Sequence, residues 1–248
     1  SSLAGHLGLD NLVFFYDDNR ITIDGGTDLA FSEDVAARYQ AYGWAVWHVD
    51  GHDLADVRRA LAEATALEGK PKLIVARTHI GIGAPNKQDT SKAHGEPLGK
   101  AEIALTKQAL GWPEAPTFRV PPEVYELFRR RAAAGRALRE AWERDREAFR
   151  AEGRAEAALY ERLLAREVPK DLLAQLVQAA PTKPAATRVS AGIVEQRAAA
   201  LVPSLVGGSA DLNPSTKTLI ENSPAVARGA FAGRNLHFGI REHGMGAI

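Results

Sequence analysis

Three short runs of branched and aromatic residues recur along the first third of the chain, each separated from the next by room for one helix. They are Leu12 to Tyr16, Trp44 to Val49 and Leu73 to Arg77. Their length and composition read as strands. Ser32 is placed to cap a helix from Glu33 to about Tyr42, with acidic residues in its first turn. Asp53 is placed to cap a second helix, Leu54 to Leu67, before Pro71 breaks the chain. The order β-α-β-α-β implies a parallel sheet with helices on its faces, because parallel strands need a crossover between them. The first strand, apolar throughout Leu12 to Phe15, is expected to be buried. Ligands of such sheets sit beyond the carboxyl ends of the strands, so the segment after each run carries the interest.

After the first run comes YDDNRIT at 16–22. It offers two carboxylates, an amide and free carbonyls, the hard oxygen donors that Mg²⁺ prefers. The same residues are ordinary turn formers, and on spacing alone a turn is the better reading. After the second run, His48, Asp50, His52 and Asp53 look like a metal cluster on paper. Asp53 is better used as a helix cap and Gly51 supplies a turn, so no metal is expected there. After the third run, 78–98 is irregular and long enough to be functional. Gly81 and Gly83 allow close approach to a ligand, though they do not form a dinucleotide fingerprint. His94, beside Gly95, suits an acid, a base or an oxygen-binding group; a solvent-facing loop histidine is the alternative.

Glu102 to Leu110 reads as a short helix, and Pro113, Pro116, Pro121 and Pro122 then mark a boundary. Pro122 to Glu167 is dense in Ala, Arg and Glu and reads as helical scaffold with a solvated face, divided at Gly135 and Gly153. Glu140 and Arg144 are spaced for an ion pair. Pro169 to Pro184 reads as a linker with a short helix. A second α/β unit starts near Thr187, with a helix from about Ser190 to Leu201 and an apolar approach, 204–206, to Gly207 and Gly208. Those glycines permit tight approach of a cofactor or a neighbouring subunit, or simply end a strand. Arg188 is able to grip a phosphate bidentately, and a surface ion pair is its default alternative. Asn213-Pro214-Ser215 forms a turn with an exposed hydroxyl. A strand near Leu236 to Phe238 leads to Glu242 at a helix start, where it complements the helix dipole or, in a dry apolar site, holds a proton.

The 248 residues are 45% hydrophobic and 25% charged, with zero net charge, so nothing favours a nucleic-acid or acidic-membrane partner. No run is apolar and long enough to span a bilayer. Cysteine is absent, which fits a reducing interior and excludes thiol chemistry; the expected location is the cytoplasm. With no initiator Met and a helix-like opening after Gly239, the sequence reads as an internal piece of a longer protein.

Taken in order, YDDNRIT (16–22), DGHD (50–53), THIGIGAPNK (78–87), AHGEPLG (93–99), ATRVS (186–190), GGSADLNPS (207–215) and HFGIREHGMGAI (237–248) closely resemble the transketolase family over essentially the whole chain. The resemblance implies a thiamine-diphosphate-binding fold of two partial domains joined by a helical linker. These are 1–120 of the pyrophosphate-binding domain, the linker 121–184, and 185–248 of the pyrimidine-binding domain. It implies reversible transfer of a two-carbon ketol unit between sugar phosphates in the pentose phosphate pathway, through a thiamine diphosphate carbanion. Mg²⁺ (or Ca²⁺) and a homodimer with interfacial active sites come with it. Residue by residue, the side chain of Asn19 and the carbonyl of Ile21 match metal ligands, and Asp17 and Asp18 do not. Ile23 and Ile80 match apolar cofactor contacts, and His94 matches a histidine touching cofactor and substrate. Arg188 and Ser215 match phosphate-gripping residues. Asp211 and Leu212 match positions approaching the thiazolium ring from the neighbouring subunit, and Glu242 matches the catalytic glutamate facing the aminopyrimidine. The family's upstream Gly-Asp-Gly motif, which supplies the carboxylate ligand, is absent from this sequence, so the piece alone is expected to be inactive. Dihydroxyacetone synthase, 1-deoxyxylulose-5-phosphate synthase and a non-catalytic homologue are the alternatives; AHGEPLG with GGSADLNPS favours transketolase over the second of these.

Overall fold

The structure, a computed structural model, describes residues 1–246; Ala247 and Ile248, the end of the last motif, lie outside the described residues. The chain divides into two compact units, Ser1–Arg119 and the part from Val120 onward. In the first, α1 (Ser2–Leu7) precedes β1 (Val13–Asp18), α2 (Val35–Ala41), β2 (Ala45–Asp50), α3 (Leu54–Ala66), β3 (Lys72–Arg77), α4 (Ser91–Gly95) and α5 (Lys100–Ala109). The three strands form the expected parallel sheet, in the order β1-β3-β2. Their register aligns Asp18 with Arg77 and Asp50 with Arg77, so all three carboxyl ends finish on one edge.

β3 is central and buried, and its side chains alternate between two cores. Ile74 and Ala76 pack with Val49, Ala60 and Ala64 beneath α3. Leu73 and Val75 pack with Trp44, joined by Val35, Ala36 and Tyr39 of α2. Helices therefore cover both faces, the arrangement that stabilises a parallel sheet. Trp44 is 3% exposed and meets Tyr39 edge-on at 5.0 Å; burying a side chain of that kind contributes about 2–3 kcal/mol. Two expectations change. Among the described residues β1 pairs only with β3, which leaves Phe14 and Phe15 40% and 51% exposed, so it is an edge strand of this sheet. The cap of α2 is Asp34, whose Oδ1 accepts from the Ala37 N–H at 2.9 Å, and not Ser32. Asp53 caps α3 as expected, accepting from the Ala55 N–H at 2.8 Å.

The second unit opens with α6 (Pro122–Ala151) and α7 (Ala155–Leu164). α6 runs straight through Gly135; only Gly153, at φ 67°, divides the segment. Arg139 pairs with Glu143 at 2.8 Å, one residue before the expected Glu140–Arg144 pair. Then follow α8 (Leu172–Ala179), α9 (Thr187–Leu201), β4 (Gly207–Ser209), the single turn α10 (Asn213–Thr216), β5 (Asn235–His237) and α11 (Glu242–Gly246). β4 and β5 pair in parallel. Buried Asn235 ties the unit together: it accepts from the Ile220 N–H at 2.8 Å and donates to the carbonyls of Ile220 and Ser223. Among the described residues, no helix is long and apolar enough to cross a membrane.

Candidate functional site

β1 runs three residues beyond the apolar run Leu12–Phe15, so Asp17 and Asp18 are strand residues on opposite faces. They cannot jointly clasp one ion. Asp18 turns toward Arg20, 3.7 Å away. Asp17 uses both its oxygens: Oδ1 accepts from the Thr78 hydroxyl and Oδ2 from Asn19 Nδ2 at 3.1 Å. Burial, with the charges of Asp18 and then Asp17, pushes the Tyr16 phenol up from its ordinary value.

Asn19 begins the turn. Its Oδ1 accepts from the Ile21 N–H at 2.9 Å, while Arg20 sits in left-handed backbone at φ 62°. The turn closes through Thr27 N–H to the Arg20 carbonyl at 3.0 Å and Thr22 N–H to the Gly25 carbonyl at 2.7 Å. The Ile21 carbonyl stays outside those backbone bonds. A hard divalent cation fits this donor set: one amide oxygen with a lone pair to spare, one peptide carbonyl, and further positions open to phosphate and water. Ile23, 67% exposed, projects from the same turn and lies 4.0 Å from where a Cβ on Gly95 would stand. That contact brings the turn beside α4, which carries exposed His94.

The loop between β3 and α4 is more ordered than its composition suggests. The Ile80 carbonyl accepts from the Asp89 N–H at 3.0 Å. His52 Nε2 accepts from the His79 N–H at 2.8 Å, and the two rings stack with centroids 5.7 Å apart. His79 Nδ1 meets Asp89 Oδ2 at 2.8 Å. Glu102, buried on α5, receives both the N–H and the Nδ2 of Asn86, at 2.8 and 2.9 Å. Gly83 has a packing reason, since a Cβ there would meet Leu110 at 2.8 Å. Among the described residues, no group of three metal-ligating side chains forms, in the DGHD segment or elsewhere.

In the second unit, Gly207 and Gly208 lie within β4 and do not end it. A Cβ on Gly208 would stand 2.1 Å from the Leu236 carbonyl oxygen, so that glycine serves the neighbouring strand. Asp211 follows at φ 63°, and the Leu212 N–H donates to Ser209 Oγ at 2.9 Å. This presents Asp211, Leu212 and, on α10, Ser215 to solvent. Arg188 is exposed in the first turn of α9, and Glu242 is exposed in the first turn of α11. The dry setting that a proton-holding Glu242 needs is thus not provided by the described chain alone.

Two hollows lie elsewhere. One of about 450 Å³, lined by Tyr16, Asp18, Phe31 and His48, opens on the Asp18 face of β1; one of about 460 Å³ lies between α9 and α10, lined by Val189, Ile193 and Asn213. None of the residues that the resemblance assigns to metal, cofactor or substrate lines either. Three interactions escaped sequence reasoning: Thr78–Asp17, His52–His79–Asp89 and Asn86–Glu102. Only the polar residues of THIGIGAPNK hinted at them.

The family described as "Transketolase, thiamine diphosphate binding domain" matches residues 1–169. Transketolase 1 of Escherichia coli (strain K12) is 44% identical over 254 residues, covering 100% of this chain and 38% of that protein. Transketolase from Leishmania mexicana superposes with a TM-score of 0.90 at 38% identity, over 98% of this chain and 37% of that one. A transketolase from Pichia stipitis in complex with sedoheptulose-7-phosphate gives 0.89 at 35% identity, over 99% and 37%. The chain therefore spans a little over a third of the length of these relatives.

Proposed function

The chain belongs to the transketolase family, and we propose that the full-length protein reversibly transfers a two-carbon ketol unit from a ketose phosphate to an aldose phosphate. The observation that carries this reading is the turn after β1, where Asp17 and the Ile21 N–H fix the Asn19 amide at the carboxyl edge of a parallel sheet, the edge where ligands of such sheets bind. Asn19 and Ile21 would hold Mg²⁺ (or Ca²⁺), which would supply positive charge for the diphosphate. When bound, thiamine diphosphate supplies the electron sink for cleaving and forming the C–C bond. Ile23 and Ile80 give the cofactor apolar walls.

His94 hydrogen-bonds the substrate oxygens that gain or lose protons. Arg188 and Ser215 hold the distal phosphate, which supplies binding energy remote from the reacting carbon. Asp211 and Leu212 approach the thiazolium ring of the neighbouring subunit in a homodimer. Glu242 would face the aminopyrimidine and share a proton with its N1′. Residues 1–120, 121–184 and 185–248 are then parts of the pyrophosphate-binding domain, the linker and the pyrimidine-binding domain. The setting is cytoplasmic pentose phosphate metabolism.

The test is ketol transfer from xylulose 5-phosphate to ribose 5-phosphate by the full-length protein, with and without thiamine diphosphate and Mg²⁺. Transfer dependent on both is expected, and none from residues 1–248 alone. A full-length protein that folds and binds the cofactor without transferring the unit would overturn the proposal.

A further inference from the structure

We infer that Asp17 and Thr78 are positioning residues that lock the Asn19 amide with its oxygen, and not its nitrogen, toward the divalent cation; the inference rests on the metal-binding role proposed for Asn19. An amide can flip, and a flipped Asn19 would turn a donor toward the cation. Two neighbours prevent it. The Asp17 carboxylate can only accept and lies 3.1 Å from Nδ2, while the Ile21 N–H can only donate and lies 2.9 Å from Oδ1. Both contacts would become repulsive on flipping.

Asp17 is held in turn from the neighbouring strand. Its Cα partner in the register is Ala76, and two residues beyond, Thr78 donates its hydroxyl to Asp17 Oδ1. The Thr78 rotamer is fixed by packing: its methyl fills the space over Gly51, where a Cβ would come within 2.4 Å of Cγ2. A β-branched side chain has few χ1 choices, and with the methyl so placed the hydroxyl faces Asp17. The glycine of the DGHD turn, the threonine after β3 and the first aspartate after the apolar run thus form one chain of contacts ending at the metal ligand. It also accounts for a carboxylate beside a cation site that is not itself a ligand: both its oxygens are engaged.

The experiment is calorimetric titration of full-length protein with Mg²⁺, and separately Ca²⁺, at saturating thiamine diphosphate, with thermal midpoints recorded alongside. Outer partners of metal ligands are worth about 10–100-fold in affinity. Asp17→Asn, which lets the Asn19 amide flip, is expected near the upper figure. Thr78→Val, which keeps the shape and removes the hydroxyl, is expected near the lower, and Thr78→Ser is expected to recover part of that loss. Asn19→Ala separates the two readings. If it leaves metal affinity unchanged, the metal role itself falls. If it weakens binding while Asp17→Asn and Thr78→Val do not, only the positioning inference falls. If Asp17→Asn does not fold, the Thr78→Val and Thr78→Ser pair decides, and equal metal affinity in those two overturns it.

Discussion

The loops at the carboxyl edge of the first unit's sheet and the segments around α9, α10 and α11 are built on opposite terms. In the first, the key polar side chains are committed internally: Asp17 to Thr78 and Asn19, Asn19 to Ile21, Asn86 to Glu102. In the second, the side chains of Arg188, Asp211, Ser215 and Glu242 take no hydrogen bond or ion pair among the described residues, and backbone alone sets where they stand. His94, although in the first unit, behaves like the second group. The difference fits the tasks proposed for the two groups. A metal ligand must present one oxygen at one angle, and only neighbours can impose that. A residue that grips a phosphate or a sugar oxygen meets a partner with its own polar atoms, and a bond already made would have to be broken first. Substitutions in the first region should therefore register in stability and metal affinity, and those in the second in kinetics alone.

Glu242 gives the largest expected departure. It is exposed, so Glu242→Ala should leave the thermal midpoint of the full-length protein unchanged while kcat falls by about 10³, within the span of a positioned acid-base group. Kinetics near those of the unaltered protein would remove its proposed role. Arg188→Ala comes next. A bond to a charged group is worth about 1.5–3 kcal/mol, so KM for phosphorylated sugars should rise about 10–100-fold with folding intact. Arg188→Lys should restore only part, because an ammonium cannot match the bidentate fork. An unchanged KM would show that the phosphate is held elsewhere. His52→Phe tests the first region. The phenyl ring keeps the stack on His79, but the His79 N–H loses its acceptor, at about 1 kcal/mol. In a full-length protein nearly three times as long as this chain, that should lower the thermal midpoint by about 1 °C or less, whereas the Arg188 and Glu242 variants should not move it.

The same contrast decides how much was legible in the sequence. The three strands, the Asp53 cap and the parallel sheet follow from apolar runs and spacing, which local physics fixes. The edge position of β1 was not legible, since the apolar run Leu12–Phe15 suits a buried strand as well as one paired on a single side. Gly135 was misread because a glycine costs a helix only about 1 kcal/mol, too little to break thirty residues. Gly208 looked like a ligand-approach glycine until Leu236 was seen against it. The turn after β1 was visible as a cluster of oxygen donors, yet the inferred setting of the Asn19 amide depends on Thr78, sixty-one residues from Asp17 in sequence. No local pattern encodes that pairing.

The smallest expected effect, and the finest test of the first region, is the clamp of Glu102 on Asn86. The Asn86 side-chain bond foremost, then its backbone N–H, hold the Glu102 carboxyl below its ordinary value against the opposing pull of burial. A carboxylate whose pKa falls on folding stabilises the folded state above its unfolded pKa, and that contribution disappears as pH drops through the lowered value. The exchange rate of the Asn86 amide, corrected for its intrinsic pH dependence, should therefore stay level through neutral pH and quicken in acid, below the ordinary glutamate range. Glu102→Gln keeps an acceptor for the Asn86 N–H but carries no charge. It should speed exchange a few-fold at neutral pH and abolish the acid step. If the acid step persists in that variant, the loop is held by another carboxylate, and Asp89, which pairs with His79 and is likewise held below its ordinary value, becomes the group to replace.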